Sequence, residues 1–137
     1  MPESCQKTIV VAEKAPKAIG PYSAGVKAGH FVYTAGQLGL DPESNNLVAG
    51  GVEAETRRAL LNLQAILEAA GASLEDVVKT TVFFRDMNDF QKVNGVYGEF
   101  FKSDPPARSA VQVAALPKGS NVEIEAVAFI PKDCDCC

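Results

Sequence analysis

One arginine, Arg108, lies where the sequence predicts that a rigid loop meets a strand, in Pro105-Pro-Ala-Arg-Ser109. A guanidinium group can bind a carboxylate through two parallel hydrogen bonds, and the preceding prolines would restrict the backbone beside it. The same position is also typical of a surface arginine at the end of a strand. The local sequence leaves both interpretations open.

Two glutamates alternate in Val122-Glu-Ile-Glu-Ala126, so Glu123 and Glu125 are predicted to share one face of a strand. That face continues to Val127 and Phe129 and therefore passes from a charged region into an apolar one. A carboxylate at such a boundary can orient a water molecule or accept a proton. Two neighbouring like charges are also typical of a solvent-exposed surface, and this alternative stays open.

Three further residues could contact a small ligand, although each also has an ordinary structural interpretation. Tyr22 could close a cleft or anchor a loop. Gly36, at the end of a predicted strand, could admit a ligand to the backbone or form a bulge. Asn94, beside the apolar stripe of a predicted helix, could be a ligand or could bridge to a loop carbonyl.

Residue types that build metal sites and nucleophilic triads are sparse. His30 is the only histidine, which argues against both a Ser–His or Cys–His pair and a metal cluster. The four cysteines lie in the terminal segments, as Cys5, Cys134, Cys136 and Cys137. The last three could bind a metal, but without a distant partner pair they are expected to be reduced thiols in a flexible tail. No metal or organic cofactor is expected.

Composition narrows the class of protein. Of 137 residues, 47% are hydrophobic and 22% are charged, which is typical of one globular domain rather than a disordered chain. We expect a single domain over 1–137, with its core at about 8–130 and a tail at 131–137. The net charge of −4 disfavours nucleic acid and anionic lipid as partners. A cytoplasmic protein is expected; a mitochondrial location stays open.

The elements that would position these residues alternate between strands and helices. Apolar and β-branched patterns predict strands at 8–11, 23–28, 30–37, 77–84, 109–115 and 122–130, and helices at 52–70 and 88–101. Two helices can cover only one face of such a sheet. The other face must also leave water, so sheet-to-sheet packing in an oligomer is expected.

The pairing of the last two strands would decide how Arg108 and Glu123 relate. If these strands form a hairpin about Lys118-Gly119, Ala114 lies opposite Glu123. Arg108 would then be roughly 20 Å from Glu123 along the sheet, at about 3.3 Å per residue. The two could meet only across a subunit boundary in that topology.

Six short segments, in order along the chain, resemble the Rid/YjgF family of reactive intermediate deaminases, specifically its imine deaminase branch. They are Ala-Ile-Gly-Pro-Tyr22, Thr-Ala-Gly-Gln37, Asp86-Met-Asn-Asp-Phe90, Val93-Asn94, Pro-Ala-Arg-Ser109 and Val-Glu-Ile-Glu-Ala126. The likeness extends from about Thr8 to Phe129, which is nearly the whole predicted domain.

The resemblance implies a chorismate-mutase-like α+β fold, with a mixed sheet covered on one face by two helices, and a homotrimer with clefts between subunits. It implies hydrolysis of 2-iminobutanoate and 2-iminopropanoate, the unstable products of pyridoxal-phosphate dehydratases. The carboxylate-binding arginine of the family falls on Arg108 and its water-positioning glutamate on Glu123. Its cleft tyrosine, backbone-contacting glycine and helix asparagine fall on Tyr22, Gly36 and Asn94.

Two positions depart from the family's pattern. Many relatives have serine where this chain has Ala35, and many have cysteine where it has Ala110. A backbone contact with substrate at Ala110 would survive the change, whereas a side-chain hydroxyl or thiol role would not.

Two other functions are compatible with the resemblance. A trimer that binds a small carboxylate and regulates a partner would use the same Arg108 without turnover. An RNA-cleaving or translation-inhibiting protein is the other alternative, because such activity is attributed to some relatives. The acidic charge and the lack of a basic aromatic patch count against the second.

Overall fold

The computed structural model describes residues 6–131 and shows an α+β architecture. Its helices are α1 (Gly51–Ala69) and α2 (Phe90–Phe100). Its strands are β1 (Lys7–Val10), β2 (Gly25–Ala28), β3 (Phe31–Thr34), β4 (Val77–Phe84), β5 (Ala107–Gln112) and β6 (Val122–Phe129). Each predicted helix and strand is therefore confirmed, with shifts of a few residues at the ends.

The six strands form one mixed sheet in the order β1-β2-β3-β6-β4-β5. β4 and β5 run parallel, with α2 as the crossover that a parallel pair requires, and the other neighbours are antiparallel. The hairpin about Lys118-Gly119, which the sequence left as a condition, does not form, because β4 lies between β5 and β6. The parallel ladder runs from Lys79↔Ala107 to Phe84↔Gln112. β5 therefore begins two residues before the start of the predicted strand at 109–115.

Both helices pack on the same face of this sheet. Leu60 and Leu63 of α1 and Val93 of α2 are fully buried in one core with Val82 and Ile124 of the central strands. Regular helical spacing of the apolar residues in α1 gives it this single buried face. The predicted covering of one sheet face by two helices is thus confirmed.

The helix ends follow from local chemistry. Gly71 has a φ of 86°, the left-handed conformation expected just past the end of α1. α2 begins at Phe90 rather than near Asn88, because a single 3-10 turn over Met87–Asp89 precedes it. The Asp86 side chain caps that turn by accepting a hydrogen bond from the Asn88 backbone N at 2.9 Å.

A buried amide on α1 fixes the loop that follows β3. Asn62 is fully buried, and its Nδ2 donates to the carbonyl oxygens of Leu38 and Leu40 at 3.2 and 3.0 Å. Its Oδ1 accepts from Arg58 Nε at 3.0 Å. These bonds tie the loop after β3 to α1.

The other face of the sheet is open in the single chain. Phe31 and Tyr33 are 38% and 47% exposed, and the Phe31 and Phe129 rings lie 5.3 Å apart on this face. Along β6 the predicted alternation is confirmed: Val122 and Ile124 are buried, and the intervening residues are only partly so. An apolar strip therefore stays uncovered, as the expected packing against another copy requires.

The cysteines at 5, 134, 136 and 137 lie outside the described residues, and so does most of the predicted tail. Within 6–131, no three His, Cys, Asp or Glu side chains are grouped so that they could hold a metal ion. In that same part of the chain, neither helix has the length and apolar character needed to cross a membrane.

Candidate active site

Arg108 lies on the helix face of the sheet, against α2. Its Nη1 donates to Asn94 Oδ1 at 2.8 Å. Its Cζ lies 4.9 Å from the centroid of the Tyr97 ring and 5.4 Å from that of Phe90, so the cation rests over two aromatic rings. A guanidinium group has five N–H donors. The half-buried side chain is therefore held in place and retains the capacity to bind a carboxylate.

The register of β5 explains this placement. Arg108 pairs with Thr80 on β4, and the Thr80 Oγ1 lies 2.7 Å from the Tyr97 hydroxyl. Burial raises the pKa of the Tyr97 hydroxyl, so that ring stays neutral beneath the arginine. Ala110, two residues beyond Arg108, pairs with buried Val82 and thus lies on the same face.

Glu123 lies on the open face, against Gly36. A Cβ built on Gly36 would overlap the Glu123 Oε2 and would lie 2.7 Å from its Cδ. The absence of a side chain at Gly36 therefore makes room for the carboxylate. This role is neither of the two that the sequence suggested for Gly36.

The Glu123 carboxyl is electrostatically unusual. Its burial raises its pKa above the ordinary glutamate value, and the negative charge of Glu125 raises that pKa further. A carboxyl whose pKa is moved towards the working pH exchanges protons more readily with a reacting group.

A cavity of about 420 Å³ adjoins this carboxylate. Tyr22, Ala35, Gly36 and Glu123 line it, together with Lys118 from the β5–β6 connection. The Tyr22 hydroxyl accepts a hydrogen bond from the Ile19 backbone N at 3.3 Å, so the tyrosine also anchors its own loop. Three residues predicted as functional therefore share one cavity.

The predicted site residues fall into two groups that a single chain does not bring together. Arg108, Asn94 and Ala110 lie at the α2–β5 edge on the helix face. Tyr22 and Glu123 line the cavity, and Glu123 projects from the opposite face of the sheet.

Sequence reasoning missed two features of the site. The helical spacing of Phe90 and Tyr97 places both on the apolar stripe of the predicted helix at 88–101, but it does not indicate their contact with the Arg108 cation. Lys118 has a left-handed φ of 58°, and its Nζ donates to the Asn45 carbonyl oxygen at 2.6 Å at the cavity wall. The turn residues Pro117-Lys118-Gly119 were the only local signal for Lys118.

Comparisons with known proteins agree with this architecture. A sequence model of the family described as endoribonuclease L-PSP matches residues 12–130. The human protein named 2-iminobutanoate/2-iminopropanoate deaminase is 54% identical over 123 residues, which cover 90% of this chain and 90% of that protein.

Two solved structures show the same fold. RidA from an Antarctic Psychrobacter species is 48% identical with a TM-score of 0.87, over 90% of this chain and 99% of that one. TdcF from E. coli, crystallised with bound serine, is 45% identical with a TM-score of 0.85, over 89% and 98% of the two chains. The likeness thus extends through the elements that carry both residue groups.

Proposed function

We propose that this chain, which belongs to the endoribonuclease L-PSP family, hydrolyses 2-imino acids such as 2-iminobutanoate and 2-iminopropanoate to 2-oxo acids and ammonia. The Rid/YjgF resemblance is confirmed by that membership. The observation that carries the proposal is the 54% identity to a human protein named for this activity, over nine-tenths of both chains. The activity would remove reactive imines that pyridoxal-phosphate dehydratases release, in the cytoplasm.

Arg108 binds the substrate carboxylate in this proposal. The Asn94 amide and the rings of Phe90 and Tyr97 hold the guanidinium before substrate arrives, so little freedom is lost on binding. Bound serine in TdcF supports a ligand of this kind, because serine carries the same α-carboxylate.

Glu123 orients a water molecule against the C=N carbon. An iminium carbon is already electrophilic, so the protein needs to supply position and a proton acceptor rather than a strong nucleophile. The water oxygen bonds to C2 while its proton passes to Glu123, which then returns it to the nitrogen. The C–N bond then breaks as the C2 hydroxyl gives its proton to Glu123, which forms the C2 carbonyl. The 2-oxo acid and ammonia leave, and the ammonia takes up the proton from Glu123 as ammonium.

A homotrimer with a chorismate-mutase-like arrangement of subunits would complete the site. Arg108 of one subunit would face the Glu123 cavity of its neighbour, with Tyr22 closing the cleft. Support comes from the positions of the two groups on opposite faces and from the exposed apolar strip. Ala35 and Ala110 lack a hydroxyl or thiol, so each could form hydrogen bonds with substrate only through its backbone.

The test is a coupled reaction in which a threonine dehydratase generates 2-iminobutanoate in the presence of the protein. We expect faster release of 2-oxobutanoate than in the dehydratase reaction alone. Tight binding of the imine without acceleration would instead favour a regulatory carboxylate-binding trimer. The family description names RNA cleavage; cleavage of RNA at physiological salt, without imine turnover, would favour that activity despite the net charge of −4.

Gly36→Ala is expected to lower kcat by roughly 100-fold, because displacement of a catalytic group by about 1 Å has that scale of effect. The new methyl group would push the Glu123 carboxylate away while the fold persists, since the end of a flexible side chain can move. Steady-state kinetics and thermal melting would check both parts. The matched control is Gly98→Ala, where a Cβ meets nothing within 4 Å; there we expect unchanged activity, and an unchanged kcat in Gly36→Ala would contradict the role of Glu123.

Glu125→Gln is expected to move the acid limb of the kcat–pH profile to lower pH. Glu125 raises the pKa of Glu123, and the reaction needs ionised Glu123, so removal of that charge extends activity in the acidic direction. Rate measurements from pH 4 to 8, roughly spanning the carboxyl range, would show the shift. Glu53→Gln, at an exposed position, is the control and should leave the acid limb in place. In Glu125→Gln, an acid limb that stayed in place or moved to higher pH would contradict the prediction.

A further inference from the structure

Both carboxylate oxygens of Glu55, a buried residue of α1, accept hydrogen bonds from Asn121, the residue that precedes β6. Glu55 is only 2% exposed. Its Oε1 accepts from the Asn121 backbone N at 2.8 Å, and its Oε2 accepts from Asn121 Nδ2 at 2.6 Å. Burial of a carboxylate costs free energy unless hydrogen bonds compensate it, so this pair fixes Asn121 in a defined place.

Asn121 directly precedes β6 and lies two residues before Glu123. Its carbonyl oxygen accepts from the Arg85 backbone N at 3.0 Å, which fixes it from a third direction. Beyond Glu123, Ile124 exchanges both backbone hydrogen bonds with Gln37 at 2.8 and 3.0 Å. The backbone is therefore fixed on both sides of Glu123, at Asn121 and at Ile124, and the position of Asn121 depends on Glu55.

The same glutamate also contacts the segment that forms the cavity wall. A Cβ on Gly39 would lie 2.5 Å from the Glu55 Cα and 2.7 Å from its carbonyl oxygen, so the two backbones are in direct contact. Gly36, three residues earlier, makes room for the Glu123 carboxylate. Glu55 thus contacts both segments, with its side chain bonded to Asn121 and its backbone packed against Gly39.

We propose that Glu55 is a positioning residue: through Asn121 it holds the Glu123 carboxylate against Gly36. The inference rests on the function proposed above and assigns a role in it to a residue that touches neither the cavity nor the substrate. Arg108 lies on the opposite face of the sheet from Glu123 and is held there by Asn94 and by two aromatic rings of α2. A displacement of Glu123 on disturbance of Glu55 therefore changes turnover rather than carboxylate binding.

The test compares four variants in the coupled imine assay and in crystals. Glu55→Leu removes both carboxylate acceptors and introduces an apolar side chain of similar size. Glu55→Gln keeps the bond to the Asn121 N and can donate to a rotated Asn121 amide oxygen. Asn121→Ala removes the side-chain bond from the other partner, in case leucine at 55 prevents folding. Glu53→Gln, exposed on the same helix, is the matched control.

We expect Glu55→Leu and Asn121→Ala to lower kcat by roughly 10- to 100-fold with KM changed by less than about twofold. Glu55→Gln and Glu53→Gln should stay close to wild type. In crystals of Glu55→Leu and Asn121→Ala, the Glu123 carboxylate should move away from Gly36. Wild-type kcat in both, or a loss in Glu55→Gln as large as in Glu55→Leu, would overturn the proposal.

The crystals also separate this inference from the function itself. Wild-type protein without imine turnover would reject the proposed function, yet the place of the Glu123 carboxylate in the Glu55→Leu crystal would still decide the positioning role. A carboxylate that remained against Gly36 there would refute it.

Discussion

Replacement of Arg108 by alanine should lower kcat/KM for 2-imino acids by roughly 10²–10⁴-fold. Two charge-assisted hydrogen bonds to the substrate carboxylate are lost, at about 1.5–3 kcal/mol each, and each 1.4 kcal/mol corresponds to a factor of ten. The coupled dehydratase assay measures the effect. The fold should persist, because the contacts of Arg108 with Asn94, Phe90 and Tyr97 lie at the edge of the sheet.

Two companion variants make that result interpretable. Arg57, which is 47% exposed and pairs with Glu99 at 3.0 Å, supplies the control, and Arg57→Ala should leave turnover unchanged. Arg108→Lys keeps the positive charge but not the planar pair of donors. Wild-type activity in Arg108→Lys would show that charge alone suffices, and wild-type activity in Arg108→Ala would remove Arg108 from the site.

The elements of the fold were predictable because their signals are local. Helical spacing of the apolar residues in α1 and the β-branched run of β4 each depend on neighbours in the chain. The pairing of β5 with β4 does not. It depends on α2 crossing over the sheet and burying Val93 in the core, which is a non-local choice that an apparent hairpin turn at Lys118-Gly119 does not reveal.

The site was predictable residue by residue but not as an arrangement. Phe90 and Tyr97 are seven residues apart, so their common helix face follows from spacing. That Arg108 lies over them follows only from its register with Thr80, which the sequence does not show. Gly36 is similar: the sequence suggests the approach of a ligand or a bulge there, but only the fold shows that Glu123 occupies the space.

Glu123→Gln should lower kcat by roughly 10²–10⁴-fold, the usual contribution of a general base. It should also raise the melting temperature at neutral pH. Because the folded-state pKa of Glu123 is raised, its contribution to stability is present below the ordinary glutamate pKa and is lost as pH rises through the folded value. Glutamine suffers no such loss. A variant that melts below wild type at neutral pH would contradict the electrostatic argument.

Mixing the two inactive proteins tests whether the site is shared between subunits. If Arg108 of one subunit serves Glu123 of the next, Arg108→Ala and Glu123→Gln chains refolded together in equal amounts should contain some intact sites. Each site then has one half-chance of an intact arginine and one half-chance of an intact glutamate, so about a quarter of wild-type activity should return. If the site lay within one subunit, mixing would restore nothing, because every chain carries one of the two substitutions. The placement of Arg108 and Glu123 on opposite faces of the sheet favours the first outcome.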